Sequence, residues 1–155
     1  MKISFLLVDH PEAIGKIAKW YYNEWAYFSL QITEEMMRQK VLEKAANRDV
    51  IPLAIVAHHE NELIGALELK LRENKNYPEY EHWIGGIFVD PLWRGQGVAS
   101  RMITIAKEKA KELGVTMLYL QCESHNISLY QRHGFKVLHQ ANHHTVEVTI
   151  MRYQQ

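Results

Sequence analysis

Cysteine is nearly missing from this chain, with Cys122 alone among 155 residues. A single thiol has no partner for an intrachain disulfide, which points to a reducing compartment. Proline and glycine are sparse as well, at four and eight, which excludes collagen-like and low-complexity classes. No apolar run approaches the roughly 20 residues of a membrane span. The run Ile3-Ser4-Phe5-Leu6-Leu7-Val8 is too short for a signal peptide and stops at Asp9-His10-Pro11. An excess of one charge is also lacking: 18 Lys and Arg face 18 Asp and Glu, with a pI near 7.1. That balance gives no electrostatic reason to expect a nucleic-acid partner. Cys-x-x-Cys spacing is absent, and the neighbours in His58-His59 and His143-His144 face opposite sides of a strand, so no metal is expected. The expectation is one soluble, cytoplasmic domain over residues 1–155, as monomer or homodimer, with no membrane partner.

What is present is an ordinary globular mixture, 47% hydrophobic, 10% aromatic and 23% charged. Residues 3–8 suit a strand, and Pro11 suits the first helical position. Ile14, Ile17, Ala18 and Tyr21 recur at helical spacing, and a dense aromatic stretch runs from Trp20 to Phe28. Thr33 caps a second helix whose stripe is Met36, Met37, Val41, Leu42 and Ala45. Apolar runs 52–57 and 63–71 flank a polar turn and read as a hairpin. The charged segment 72–81 reads as a mobile loop, and 83–89 as a strand. The longest helical pattern places Val98, Met102, Ile105, Ala106, Lys109 and Leu113 along one edge and stops at Gly114. The charges from Lys107 to Lys111 read as a solvated face. A strand over 115–122, a short helix over 126–133 and strands over 135–138 and 146–151 complete the chain. The order β-α-α-β-β-β-α-β-α-β-β is α/β in the broad sense (α+β): a mixed, mostly antiparallel sheet flanked by helices.

Arg94-Gly95-Gln96-Gly97-Val98-Ala99-Ser100 joins a strand to the long helix. The first amides of a helix have no intrahelical partner and carry the positive end of its dipole. Glycines let a phosphate approach those amides with no Cβ in the way. Other uses of the segment are a plain tight turn, a Walker loop and a dinucleotide fingerprint. The Walker loop fails because Val98 follows Gly97 where Lys is required. The fingerprint lacks its third glycine, which is Ser100 here.

Arg-x-x-Gly-x-Ala at this position resembles the acetyl-CoA signature of the GCN5-related N-acetyltransferases. The stretch Asn126-Ile127-Ser128-Leu129-Tyr130-Gln131-Arg132-His133-Gly134-Phe135 is similar to the Asn and Tyr helix of that family, which ends in Gly-Phe. The two segments stand in the family's order, and the resemblance in element order runs from Ile3 to Met151.

The resemblance implies an N-acetyltransferase that moves an acetyl group from acetyl-CoA to a primary amine of a small molecule or peptide in a ternary complex. It implies that strands 83–89 and 115–122 splay, with the pantetheine arm pairing with backbone near Ile87, Phe88 and Val89. Arg94, Gly95, Gln96, Gly97, Val98, Ala99 and Ser100 would hold the diphosphate, with Asn126 nearby. Tyr130 would protonate the departing thiolate, and Glu81 or Glu123 would take the amine proton. Trp25, Tyr27 and Phe28 fall where the family builds its acceptor pocket. Cys122 reads as a small buried hydrophobe rather than an acyl carrier. The alternative is a non-catalytic acyl-CoA-binding module of the same fold, with a nucleotide-dependent oxidoreductase ranked last.

Overall fold

The computed structural model describes residues 2–5, 7–25, 31–143 and 145–155. Its elements follow the expected order: β1 (Lys2–Phe5), α1 (Ile14–Trp25), α2 (Glu34–Ala45), β2 (Leu53–His59), β3 (Glu62–Leu71), β4 (His82–Val89), α3 (Val98–Glu112), β5 (Met117–Cys122), α4 (Ile127–Gln131), β6 (Lys136–His143) and β7 (Val146–Gln154). The strands form one seven-stranded sheet in the order β1-β2-β3-β4-β5-β7-β6. Neighbours are antiparallel except β4 and β5, which run parallel because α3 carries the chain back across the sheet.

The central strands β2 and β3 are buried on both faces, which explains why they read as unbroken apolar runs. Ile55, Leu67 and Leu69 pack against Met102, Ile103 and Ala106 of α3. Their alternates Ala54, Val56 and Ala66 pack against Ile14, Ile17 and Tyr21 of α1 and Val41 of α2. Thr33 caps α2 as expected, its hydroxyl accepting from the Met36 amide at 3.1 Å.

Several boundaries moved. The first strand ends at Phe5, and 3-10 turns at Leu7–Asp9 and Pro11–Ala13 precede α1. The final hairpin is longer than its apolar runs, because β6 extends through the polar stretch to His143. Met36 and Leu42 lie 45% and 40% exposed, so the buried stripe of α2 is the narrower pair Val41 and Ala45. The Lys107–Lys111 face is not simply solvated. Lys109 is buried and pairs with Asp49 at 2.9 Å, while Lys107 donates to the His133 carbonyl oxygen at 2.6 Å.

Segment 72–81, expected as a mobile loop, is fastened instead. Arg72 pairs with Glu81 at 2.8 Å, and Tyr80 stacks on Tyr119 with ring centroids 4.3 Å apart. Asn74, 2% exposed, donates to Gln121 Oε1 at 3.0 Å and to the Asn142 carbonyl oxygen at 3.4 Å. These partners lie on β5 and β6, too distant in the chain for local patterning to reveal.

Candidate active site

Only one registered pair, Trp83 with Tyr119, joins the parallel strands β4 and β5. Beyond it β4 stays on β3 as far as Gly65 opposite Val89, while β5 stays on β7 along its whole length. The sheet therefore opens between Ile87 and Cys122. A bulge sets the path of β4: Gly86 and Ile87 together oppose Leu67, and Gly86 has φ +57°. A Cβ at Gly86 would lie 2.6 Å from Glu68 Oε1. The Tyr21 hydroxyl donates to the Gly86 carbonyl oxygen at 2.6 Å and fixes the bulge from α1.

A cleft of about 420 Å³ fills the opening. Ile84 to Ile87 form one wall and Leu120 to Glu123 the other, and Asn126 and Tyr130 also line the cleft. Tyr21 and Trp25, rings 5.0 Å apart, line the side built by α1. Tyr27 and Phe28 lie outside the described residues.

The floor holds charges that sequence reading missed. Glu68, its side chain 5% exposed, lies 3.3 Å from Lys44 Nζ and 3.8 Å from Lys70 Nζ, and Lys70 pairs with Glu73 at 2.6 Å. Burial alone would lower the Lys70 pKa, but Glu73 and Glu68 reverse that and hold it above its ordinary value. Burial, reinforced by the same two carboxylates, keeps the Tyr21 phenol protonated well above the usual range. The available signal was Glu68 and Lys70, two polar residues on one face of an otherwise apolar strand.

Tyr130 is buried with its ring edge against Phe135, centroids 6.3 Å apart. Burial and then Cys122 raise its pKa, so the phenol keeps its proton at neutral pH. Cys122 also lines the cleft, and burial followed by Glu123 pushes its thiol up to about 11. Such a thiol is a poor nucleophile at neutral pH.

The candidate acids separate. Glu123 lines the cleft with its side chain half exposed, and His125 Nδ1 is 3.7 Å away. Glu81 is not among the residues lining the cleft; it is held by Arg72 at 2.8 Å and His82 at 3.1 Å. Among the strand residues, Ile87 lines the cleft. Phe88 is buried under Trp20, and the Val89 carbonyl oxygen accepts from Arg94 Nε at 3.1 Å.

The glycine turn lies at the C-terminal end of β4. Gly95 and Gly97 have φ of +76° and +81°, and a Cβ on either would meet nothing within 4 Å. Gly97 is the N-cap of α3 and offers no capping side chain, so the amides of Val98, Ala99 and Ser100 begin the helix uncapped. Arg94 is folded back, its guanidinium 5.3 Å from the Phe88 ring centroid. The Gln96 side-chain amide donates to the Leu92 carbonyl oxygen at 3.3 Å. The Ser100 hydroxyl lies 2.7 Å from His133 Nε2. The corner is thus an open backbone cradle suited to an anion.

Among the described residues, the histidines other than His125 and His143 do not line the cleft. His139 and His143 have the four-residue spacing of a helical metal site but lie on β6. A strand separates such residues by roughly 13 Å, too far for one ion. His10, Glu12 and His58 bring ligand atoms within 4.8 Å of one another, away from the cleft lining. No described helix is long and apolar enough to cross a membrane.

Residues 17–135 match the profile of the acetyltransferase (GNAT) family. An uncharacterized N-acetyltransferase, YhfO of Bacillus subtilis (strain 168), is 26% identical over 118 residues, 74% of this chain and 78% of that protein. An aminoglycoside 6'-N-acetyltransferase complexed with coenzyme A superimposes with a TM-score of 0.77 at 13% identity, covering 99% of this chain and 97% of the other. The structure of yncA from Salmonella typhimurium with its cofactor acetyl-CoA gives a TM-score of 0.77 at 18% identity, covering 99% and 93%. At these identities the solved structures establish a shared fold.

Proposed function

This chain belongs to the GNAT acetyltransferase family and is an acyl-CoA-dependent N-acyltransferase; from that premise we propose that it transfers acetyl from acetyl-CoA directly to a primary amine of a small molecule or peptide. The observation that carries the reading is the parting of β4 and β5 beyond Trp83 and Tyr119, beside an uncapped helix start. The opening has the form needed for an extended arm, and the cradle at Gly97 has room for a diphosphate.

The Val98, Ala99 and Ser100 amides and the Ser100 hydroxyl bind the diphosphate, each charge-assisted bond contributing about 1.5–3 kcal/mol. Backbone at Ile87 aligns the pantetheine arm, and Asn126 borders it. Tyr130, protonated and buried at the cleft, donates its hydroxyl proton to the departing sulfur. Cys122 carries no acyl group, so attack by the amine on the thioester carbonyl is direct.

An amine of ordinary pKa about 10.4 costs about 4.6 kcal/mol to present as free base at pH 7. Glu123, which lines the cleft, receives that proton through water. Glu68 is a weaker candidate because Lys44 and Lys70 already neutralise it. Trp25 and Tyr21 present aromatic faces to the acceptor.

The test is thiol release from acetyl-CoA with a panel of primary amines. Steady turnover with at least one amine is the expected result. Acetyl-CoA binding without release across a broad panel would replace transfer by sensing.

A further inference from the structure

The third residue of α3, Ser100, places its hydroxyl 2.7 Å from Nε2 of His133, the residue that follows Arg132 at the end of α4. A serine hydroxyl has one proton to give. If it donates to an unprotonated Nε2, its oxygen presents only lone pairs to the helix start. If the ring nitrogen carries the proton and donates, the hydroxyl proton is released to point elsewhere. A diphosphate accepts hydrogen bonds and donates none at neutral pH. Only the second arrangement lets Ser100 help to hold it.

We propose that His133 is a positioning residue for the donor substrate: in the free protein its neutral ring holds its proton on Nδ1 and accepts from Ser100, and on binding of a diphosphate at the start of α3 the ring gains a second proton at Nε2, donates it to Ser100 Oγ and so turns the serine proton toward the ligand. The inference rests on the proposed acetyl-CoA site. Its charged surroundings favour coupling to an anion. From α3, Lys107 Nζ donates to the His133 carbonyl oxygen at 2.6 Å and lies 4.0 Å from the Tyr153 ring centroid on β7. Arg132 is adjacent in the chain. Burial, Lys107 and Arg132 lower the pKa of the imidazole, with no carboxylate among the groups acting on it. A bound diphosphate supplies the missing negative charge and favours the protonated ring.

The sign follows. With its pKa lower in the free protein than in the complex, His133 takes up a proton on binding at intermediate pH. Affinity is greatest below the free-state value, falls as pH rises through the interval, and levels off above the bound-state value.

The experiment is calorimetric titration of acetyl-CoA from pH 5.5 to 8.5 into the parent protein, His133→Gln and Ser100→Ala. The 3'-phosphate of the ligand also titrates, near about pH 6, but identically for every protein, so affinity ratios cancel it. Glutamine keeps a neutral donor. The parent-to-His133→Gln affinity ratio is expected to be about three- to tenfold larger at pH 6 than at pH 8, a tenfold change corresponding to one pKa unit. Ser100→Ala, which leaves the imidazole in place, keeps only the through-space part of that slope, so the parent-to-Ser100→Ala ratio is also expected to be larger at pH 6 than at pH 8, and it carries the test should His133→Gln not fold. Ratios that do not vary with pH overturn the inference. Gly97→Glu separates the two readings. If it binds acetyl-CoA as the parent does, the site itself is misplaced; if it abolishes binding while His133→Gln keeps the full slope, only the role of His133 falls.

Discussion

The hydroxyl of Tyr21 on α1 donates to the carbonyl oxygen of Gly86 on β4, 65 residues away, at 2.6 Å. The bond grips the strand at its bulge, where β4 turns away from β5. Tyr21→Phe keeps the packed ring and leaves that oxygen without its donor. A loss of about 1–3 kcal/mol is expected, or a melting temperature lower by roughly 3–10 °C for a chain of this size. Acetyl-CoA affinity should weaken with it. An unchanged melt would show that the bulge stands without this clamp.

Gly97→Glu places a carboxylate and a strained left-handed residue where the diphosphate is expected. In the parent protein, acetyl-CoA at 100 times its Kd adds about 2.7 kcal/mol of stability. Thermal shift should report that gain in the parent and none in the variant.

Tyr130→Phe removes a proton donor from the cleft and little packing. The expected result is a fall in kcat of about 100-fold or more, with acetyl-CoA affinity within roughly threefold of the parent, as a lost transition-state contact requires. Comparable losses in both would make Tyr130 a binding residue.

Cys122, with its thiol pushed up to about 11, is almost wholly protonated at neutral pH. Cys122→Ala should therefore transfer acetyl at a rate within about threefold of the parent, and no acetylated cysteine should be trapped by mass spectrometry after rapid quenching. The raised pKa also sets a direction for stability. The folded state holds the thiol proton more tightly, so this contribution is full below the unfolded value of about 8.5 and is lost as pH rises toward 11. Alkaline melts of Cys122→Ala should fall less steeply than those of the parent.

Periodicity was enough to order the elements, because the buried faces of α1 and α3 repeat cleanly and β2 and β3 are covered on both sides. The cradle was legible for a different reason: Gly95 and Gly97 adopt backbone angles that few other residues tolerate. The charged floor was hidden because Glu68 and Lys70 come together with Lys44 and Glu73 only through tertiary packing. Glu81 suited the role of base by its position before β4, yet Arg72 holds it outside the cleft lining. His133 gave no local hint, since its partner Ser100 is 33 residues earlier.

Asn74 has a mechanical consequence. From the β3–β4 connection its amide reaches both Gln121 on β5 and the backbone of β6, so one side chain straps together the two halves of a divided sheet. The jaws of the crevice are thereby held at a set width. Guests must match a gauge already cut, and strain from a bulky acceptor would be borne by the strap before it reached the reacting carbonyl.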